Sequence, residues 1–168
     1  MIVSLGESLI DRIYSPGITE PRVQVGGSPF NVAIALSRLE IDTGFVCPIS
    51  RDPYGQLIAD TLEKNGIQRC VKDRVMAPTA IAEVFSDSSG NPRYAFHRKN
   101  SADRALKQNP PAEALPERIE ALHFGSLVLA EEEDWPPWRE AIIQARTKGA
   151  FIAFDPNLRP ALIDTMDR

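Results

Sequence analysis

The sequence of 168 residues has few cysteines, no long hydrophobic run and no excess of positive charge. Its two cysteines, Cys47 and Cys70, are widely separated and no secretion signal precedes Asp11, so free thiols are expected rather than a disulfide. No apolar segment approaches the ~20 residues that span a bilayer. The net charge of −4 and the isoelectric point near 5.2 argue against nucleic acid or an anionic membrane as partners. These absences favour a cytoplasmic globular protein.

The common glycine motifs for nucleotides and the clusters of metal ligands are also missing. Neither G-x-x-x-x-G-K-[ST] nor G-x-G-x-x-G occurs, although these sequences form the usual phosphate-binding turns. The two histidines and two cysteines form no cluster with the spacing of a zinc site. No metal site is therefore expected, and no phosphate-binding turn is recognisable.

The chain does contain an alternation of strand-like and helix-like segments, which favours an α/β fold with a mostly parallel sheet. Asp52, Pro53 and Gly66 are typical of the start and end of one helix, and a second helix is predicted after Trp135. Short apolar runs predict strands at 2–5, 43–49, 121–124 and 151–155. Strand-like residues at 79–85 and 93–98 predict a β-hairpin, and 12–25 predicts further short strands.

The most informative segment is 26–31, Gly-Gly-Ser-Pro-Phe-Asn. Gly26 and Gly27 let the backbone approach a ligand closely, and Ser-Pro is typical of a helix start. Asn31 then lies in the first helical turn, where its amide can face the same ligand. This arrangement suits a polyhydroxylated small molecule. The 3.6-residue period predicts a buried stripe formed by Val32, Ala35, Leu36 and Leu39.

Further candidate residues lie near the ends of predicted strands. Asp11 follows the first strand, so we expect it at the carboxyl edge of the sheet, where its carboxylate can accept two sugar hydroxyls. Phe96 and Arg98 alternate with His97, which predicts that both point to one side of the hairpin. There the ring would cover a sugar, and the cation would bind a hydroxyl or a carboxylate.

Three polar residues follow the last predicted strand. Arg159 suits an anionic group, either a nucleotide phosphate or a substrate carboxylate. Asn157 and Asp155 are candidates for phosphate or substrate contact, although Asp155 is equally suited to orienting the turn. Glu7 is predicted to be structural.

Several of these segments together resemble the ribokinase-like (PfkB) carbohydrate kinases, in particular the fructokinase and ketodeoxygluconate-kinase branch. The run 26–31 is similar to the first signature of that family. The other similar segments, in family order, are 5–11, 51–55, 94–98 with 102–103, 122–126 and 154–160.

The resemblance implies a Rossmann-type parallel sheet with flanking helices and a small β lid, formed by about 12–25 and 79–98. It implies a sugar-binding role for Asp11, Gly26, Gly27 and Asn31, with Phe96 on the lid. It also implies ATP-dependent phosphorylation of a sugar hydroxyl with Mg²⁺, and a homodimer formed through the lid.

The resemblance implies that the catalytic aspartate of the family lies beyond the last residue of this sequence, Arg168. We therefore expect residues 1–168 to correspond to a truncated, N-terminal part of one sugar-kinase domain, inactive by itself. Two alternatives remain open at this point. One is a kinase for 2-keto-3-deoxygluconate or another sugar or nucleoside, and the other is a non-catalytic sugar-binding remnant.

Overall fold

Two β-sheets form the centre of the fold, which a computed structural model describes for residues 1–15, 17, 19–86 and 92–157. Within these residues the strands are β1 (Ile2–Leu5), β2 (Leu9–Tyr14), β3 (Arg22–Gly26), β4 (Thr43–Val46), β5 (Gln68–Arg69), β6 (Ala80–Ser86), β7 (Pro92–His97), β8 (Ala121–Gly125) and β9 (Phe151–Asp155). The α-helices are α1 (Ser28–Arg38), α2 (Pro53–Lys64) and α3 (Trp135–Thr147).

The main sheet has the order β5-β4-β1-β8-β9, and all of its described pairings are parallel. Helices pack on both of its faces. Val3 and Leu5 belong to a buried cluster with Trp138 of α3, whereas Phe45 packs with Phe30 of α1 in a second cluster that includes Ile58 of α2. Burial of each large apolar side chain contributes about 1.5–3 kcal/mol. The predicted α/β architecture is confirmed.

A second, smaller sheet, here called the lid sheet, has the order β3-β2-β6-β7. Strands β6 and β7 form the predicted hairpin, and β2 pairs parallel to β6 and antiparallel to β3. Leu9, Ala80 and Ala82 pack against Leu127, which lies in the 3-10 helix Ser126–Leu129 after β8. This contact places one face of the lid sheet near the carboxyl ends of β1 and β8.

Asp52 connects helix α2 to the start of the lid hairpin. Its Oδ1 accepts a hydrogen bond from the backbone N–H of Gly55 at 2.7 Å, which caps the helix as the sequence predicts. Its Oδ2 accepts from the N–H of Thr79 at 2.7 Å, immediately before β6. One carboxylate therefore holds both a helix of the main layer and the base of the lid.

The predicted buried stripe of α1 is wrong. Phe30 and Ala33 are the buried apolar residues of this helix besides Pro29, while Leu39 is 71% exposed. The reason is that α1 meets the core through its other face, so that Val32 and Ala35 border a cavity instead. None of the helices in the described residues has the length and hydrophobicity to cross a membrane.

Candidate ligand-binding site

A cavity of about 400 Å³ lies between the lid sheet, the start of α1 and the residues that follow β1, β8 and β9. Five residues singled out in the sequence analysis line it together: Asp11, Gly27, Asn31, Phe96 and Asn157. They come from β2, the α1 start, β7 and the turn after β9. The fold thus brings together positions that are up to 146 residues apart in the chain.

Asp11 lies in the middle of β2, not at the carboxyl edge of the main sheet as expected. The difference arises because the chain continues from β1 directly into the lid sheet. There Asp11 pairs with Ala82 of β6, which pairs with Phe96 of β7, so Asp11 and Phe96 share one face across three strands. Burial raises the pKa of Asp11. Within the described residues its carboxylate forms no hydrogen bond or ion pair.

Gly26 and Gly27 both allow other parts of the protein to approach the backbone at the start of α1 closely. A Cβ at Gly26 would lie 2.1 Å from Oδ2 of Asp11, so the absence of a side chain leaves room for the carboxylate. Gly27 has φ +109°, and a Cβ there would lie 2.6 Å from the carbonyl oxygen of Glu7. The glycine pair therefore lets α1 begin directly against the β1–β2 connection, beside the cavity.

Arg98 does not lie on the cavity wall. Strand β7 ends at His97, so the predicted alternation with Phe96 stops before Arg98. The Arg98 guanidinium is buried and donates two hydrogen bonds to Oδ2 of Asp103, through Nε at 3.0 Å and Nη2 at 2.8 Å. It is thus occupied by an ion pair at the base of the lid, while His97 faces Glu83 on the opposite side.

The turn after β9 positions Asn157. Asp155 orients this turn, because its Oδ1 accepts a hydrogen bond from the N–H of Asn157 at 3.1 Å. Asn157 lines the cavity and its Nδ2 lies 3.4 Å from the hydroxyl of Ser126. Asp155 has the structural role considered in the sequence analysis and does not line the cavity itself. Arg159 lies outside the described residues.

Glu7, for which the sequence predicts a structural role, and Ser126, which was not a candidate, also line the cavity. Glu7 is 2% exposed, and its Oε1 accepts a hydrogen bond from the N–H of Ser28 at 3.1 Å, at the start of α1. Burial raises the pKa of Glu7 to about 7. The available signal for Glu7 is its place two residues after the apolar strand β1, at the edge where open α/β sheets bind ligands.

The described residues fit a neutral polyol better than a nucleotide. Among those lining the cavity, Glu7 and Asp11 are acidic and none is lysine or arginine, so a triphosphate finds no cation there. No group of three or more potential metal ligands occurs within the described residues. We therefore assign no described residue to holding ATP or Mg²⁺.

Comparison with known proteins adds independent findings. The model of the family described as "pfkB family carbohydrate kinase" matches residues 1–168. A probable fructokinase-3 of Arabidopsis thaliana is 35% identical over 172 residues, which cover 96% of this chain and 49% of that protein. The chain spans about half the length of the curated relatives it matches.

Two solved structures share the fold. The crystal structure of a fructokinase from Xylella fastidiosa matches with a TM-score of 0.87 and 26% identity, covering 99% of this chain and 55% of that one. The structure of fructokinase from the same organism with bound ATP gives a TM-score of 0.83 at 26% identity and covers 99% of this chain and 52% of that one.

Proposed function

Because this chain belongs to the pfkB family of carbohydrate kinases, we propose that the protein phosphorylates a hydroxyl of fructose or a similar neutral sugar. ATP with Mg²⁺ is the proposed phosphoryl donor, as in phosphoryl transfer generally. The relatives named fructokinase and the ATP-bound structure of one such enzyme support the proposal. On this proposal, the described residues hold the sugar acceptor.

The observation that carries the proposal is the free carboxylate of Asp11 beside the glycine turn. Each of its oxygens can accept a hydrogen bond from a sugar hydroxyl. Asn31 adds an amide from α1, and Phe96 places a ring on the same face as Asp11. Together they would hold the hydroxyls and cover the apolar side of a sugar ring, which fixes the orientation of the acceptor. Asn157 and Arg159 remain proposed contacts for the substrate or a phosphate.

A neutral sugar is favoured over an acidic one such as 2-keto-3-deoxygluconate. The carboxylate of a sugar acid would meet Glu7 and Asp11, and like charges repel. Arg98, which could have compensated, is already paired with Asp103. Non-catalytic sugar binding is the second candidate, because the described residues provide an acceptor pocket without a phosphate-binding turn.

The decisive experiment measures ATP-dependent phosphorylation of fructose by the complete protein, with 2-keto-3-deoxygluconate as the competing substrate. We expect kcat/KM for fructose to exceed that for the acid by at least about tenfold, since one unfavourable charge contact of about 1.4 kcal/mol produces that ratio. Calorimetric binding of fructose without turnover would support the binding protein. A preference for the acid would contradict the assignment of a neutral substrate.

The proposal includes a homodimer formed through the lid sheet and a cytoplasmic location. Phe85, on β6, is 42% exposed although it stacks on Tyr14 at 4.7 Å between ring centroids. An exposed aromatic ring held in place by a second ring suits contact with a second copy of the protein. The two free thiols and the use of ATP are typical of the cytoplasm.

Substitution Gly26→Ala tests how the pocket is built. We expect at least about tenfold weaker fructose binding, because the new Cβ displaces the Asp11 carboxylate, whose hydrogen bonds to hydroxyls contribute about 1.5–3 kcal/mol each. Folding is expected to change little, since the closest clash is with a side-chain end and not with backbone. Titration calorimetry of G26A, D11A and the double variant checks this. The two losses should not add, and full additivity would show that Gly26 acts independently of Asp11.

A further inference from the structure

Glu7 lines the cavity and has one side-chain oxygen without a hydrogen-bond partner in the described part of the chain. Its Oε1 is engaged by the N–H of Ser28, but its Oε2 is buried and has no hydrogen-bond partner within the described part of the chain. Buried carboxylate oxygens normally have partners. Because Glu7 also lines the cavity, the partner missing from Oε2 can be supplied by a bound molecule.

The surroundings of Glu7 make its protonated and ionised forms similar in free energy near pH 7. Burial raises its pKa to about 7, while the N–H of Ser28, the nearby hydroxyl of Ser126 and the charge of Arg98 favour the carboxylate. The Cys47 thiol also lies close by, and burial raises its pKa far above the usual range, so it stays neutral. Arg98 is paired with Asp103, and Asp11 is the other carboxylate that lines the cavity.

We propose that Glu7 is a second sugar-binding carboxylate, whose Oε2 accepts a hydrogen bond from a substrate hydroxyl. This inference rests on the proposed function and extends it to a residue that would otherwise only cap α1. A hydroxyl is the matching group because it donates a hydrogen, whereas a phosphate or carboxylate of the ligand would bring a second negative charge. Glu7 thereby also selects a neutral sugar against a phosphorylated one.

Substitution Glu7→Gln separates this role from helix capping. Glutamine keeps the shape and an oxygen that can accept the N–H of Ser28, but replaces the free carboxylate oxygen by an NH₂ group. The KM and Kd for fructose are expected to rise about 10- to 100-fold, the range for losing one hydrogen bond to a charged group. The kcat is expected to stay within about twofold, because the lost contact holds the substrate and its transition state equally.

Thermal unfolding checks that weaker fructose binding by E7Q does not come from a less stable fold. Burial places the folded pKa of Glu7 above its unfolded value of 4.5, so its contribution to stability is present below pH 4.5 and is lost as the pH rises through about 7. The uncharged glutamine avoids this loss. At pH 8, E7Q is therefore expected to melt at the same temperature as the unaltered protein or higher, although it binds fructose more weakly.

Proton release on fructose binding provides a second test of the contact to Glu7. A hydroxyl that donates to Oε2 stabilises the carboxylate and lowers the pKa of Glu7, so fructose binding at pH 7 is expected to release part of a proton. Calorimetry in two buffers of different ionisation enthalpy measures this release. E7Q should lose it, and D11N at saturating fructose should retain it.

The outcomes separate the inference from the function on which it rests. If the unaltered protein neither binds nor phosphorylates fructose, both fail. If it does, but E7Q has a fructose Kd within threefold of the unaltered protein, Glu7 is structural and only the inference is overturned. Uptake of a proton on binding would show that Glu7 donates rather than accepts, which also overturns it.

Discussion

Replacing Asp11 by asparagine is expected to weaken fructose binding by about 100-fold or more. Asparagine removes the charge and one of the two acceptor oxygens, and each hydrogen bond between a hydroxyl and a carboxylate contributes about 1.5–3 kcal/mol. A loss of about 3 kcal/mol corresponds to a factor of more than 100. Folding should not suffer, because the Asp11 carboxylate forms no hydrogen bond or ion pair within the described residues. The fructose Kd from calorimetry and the KM from steady-state kinetics measure the effect.

The matched control is Asp60→Asn on α2. Asp60 is an exposed aspartate whose Oδ1 accepts a hydrogen bond from the Gln56 side chain at 2.6 Å, away from the cavity. The D60N substitution makes the same chemical change as D11N and is expected to leave the fructose affinity unaltered. If D11N bound fructose within threefold of the unaltered protein, the pocket would not be the acceptor site.

Substitution Gly27→Ala is expected to lower the free energy of unfolding by about 3 kcal/mol or more. Its φ of +109° is a conformation that non-glycine residues adopt at a cost of about 1–3 kcal/mol. The added Cβ would also lie 2.6 Å from the carbonyl oxygen of Glu7 and 3.2 Å from the Cα of Ser8. Both atoms are backbone, so α1 must move away from the β1–β2 connection, at a further cost of about 1–3 kcal/mol. Urea denaturation followed by circular dichroism measures the loss.

Gly66→Ala is the control for the strained backbone alone. Gly66 follows α2 with φ +65°, but a Cβ there would meet nothing within 4 Å. It should cost only about 1–2 kcal/mol, the penalty for a left-handed residue. Equal losses in G66A and G27A would contradict the close approach between α1 and the β1–β2 connection.

The elements predicted most accurately depend on local patterns. The bounds of β1, β9 and α2 follow from apolar runs, from Asp52 as the cap and from Gly66 as the stop. Asp52 and Gly66 act through backbone groups only a few residues away, so the sequence carries that information directly.

The position of Asp11 was not predictable in this way. It depends on the pairing of β2 with β6, which joins residues about 70 positions apart. The position of Arg98 was not predictable either. Strand β7 ends at His97, before Arg98, and the side chain of Arg98 turns to an ion pair with Asp103. The stripe of α1 was misassigned because a helix beside a cavity has two apolar faces, one towards the core and one towards the ligand.

Glu7 shows why a sequence predicts only some of the residues of a binding site. Its burial and its free Oε2 follow from the contact between α1 and the β1–β2 connection, which no local pattern encodes. A charged residue beside a strand has the same appearance whether it faces solvent or a pocket.

The wall of the cavity is divided between two separately hydrogen-bonded sheets. Asp11 and Phe96 belong to the lid sheet, whereas Asn31 and Ser126 are attached to the main one. A molecule that contacts all four residues connects the two sheets. Its binding would therefore restrain the movement of the lid sheet relative to the main sheet. On the proposed function, sugar binding is therefore expected to stiffen the contact between these two sheets.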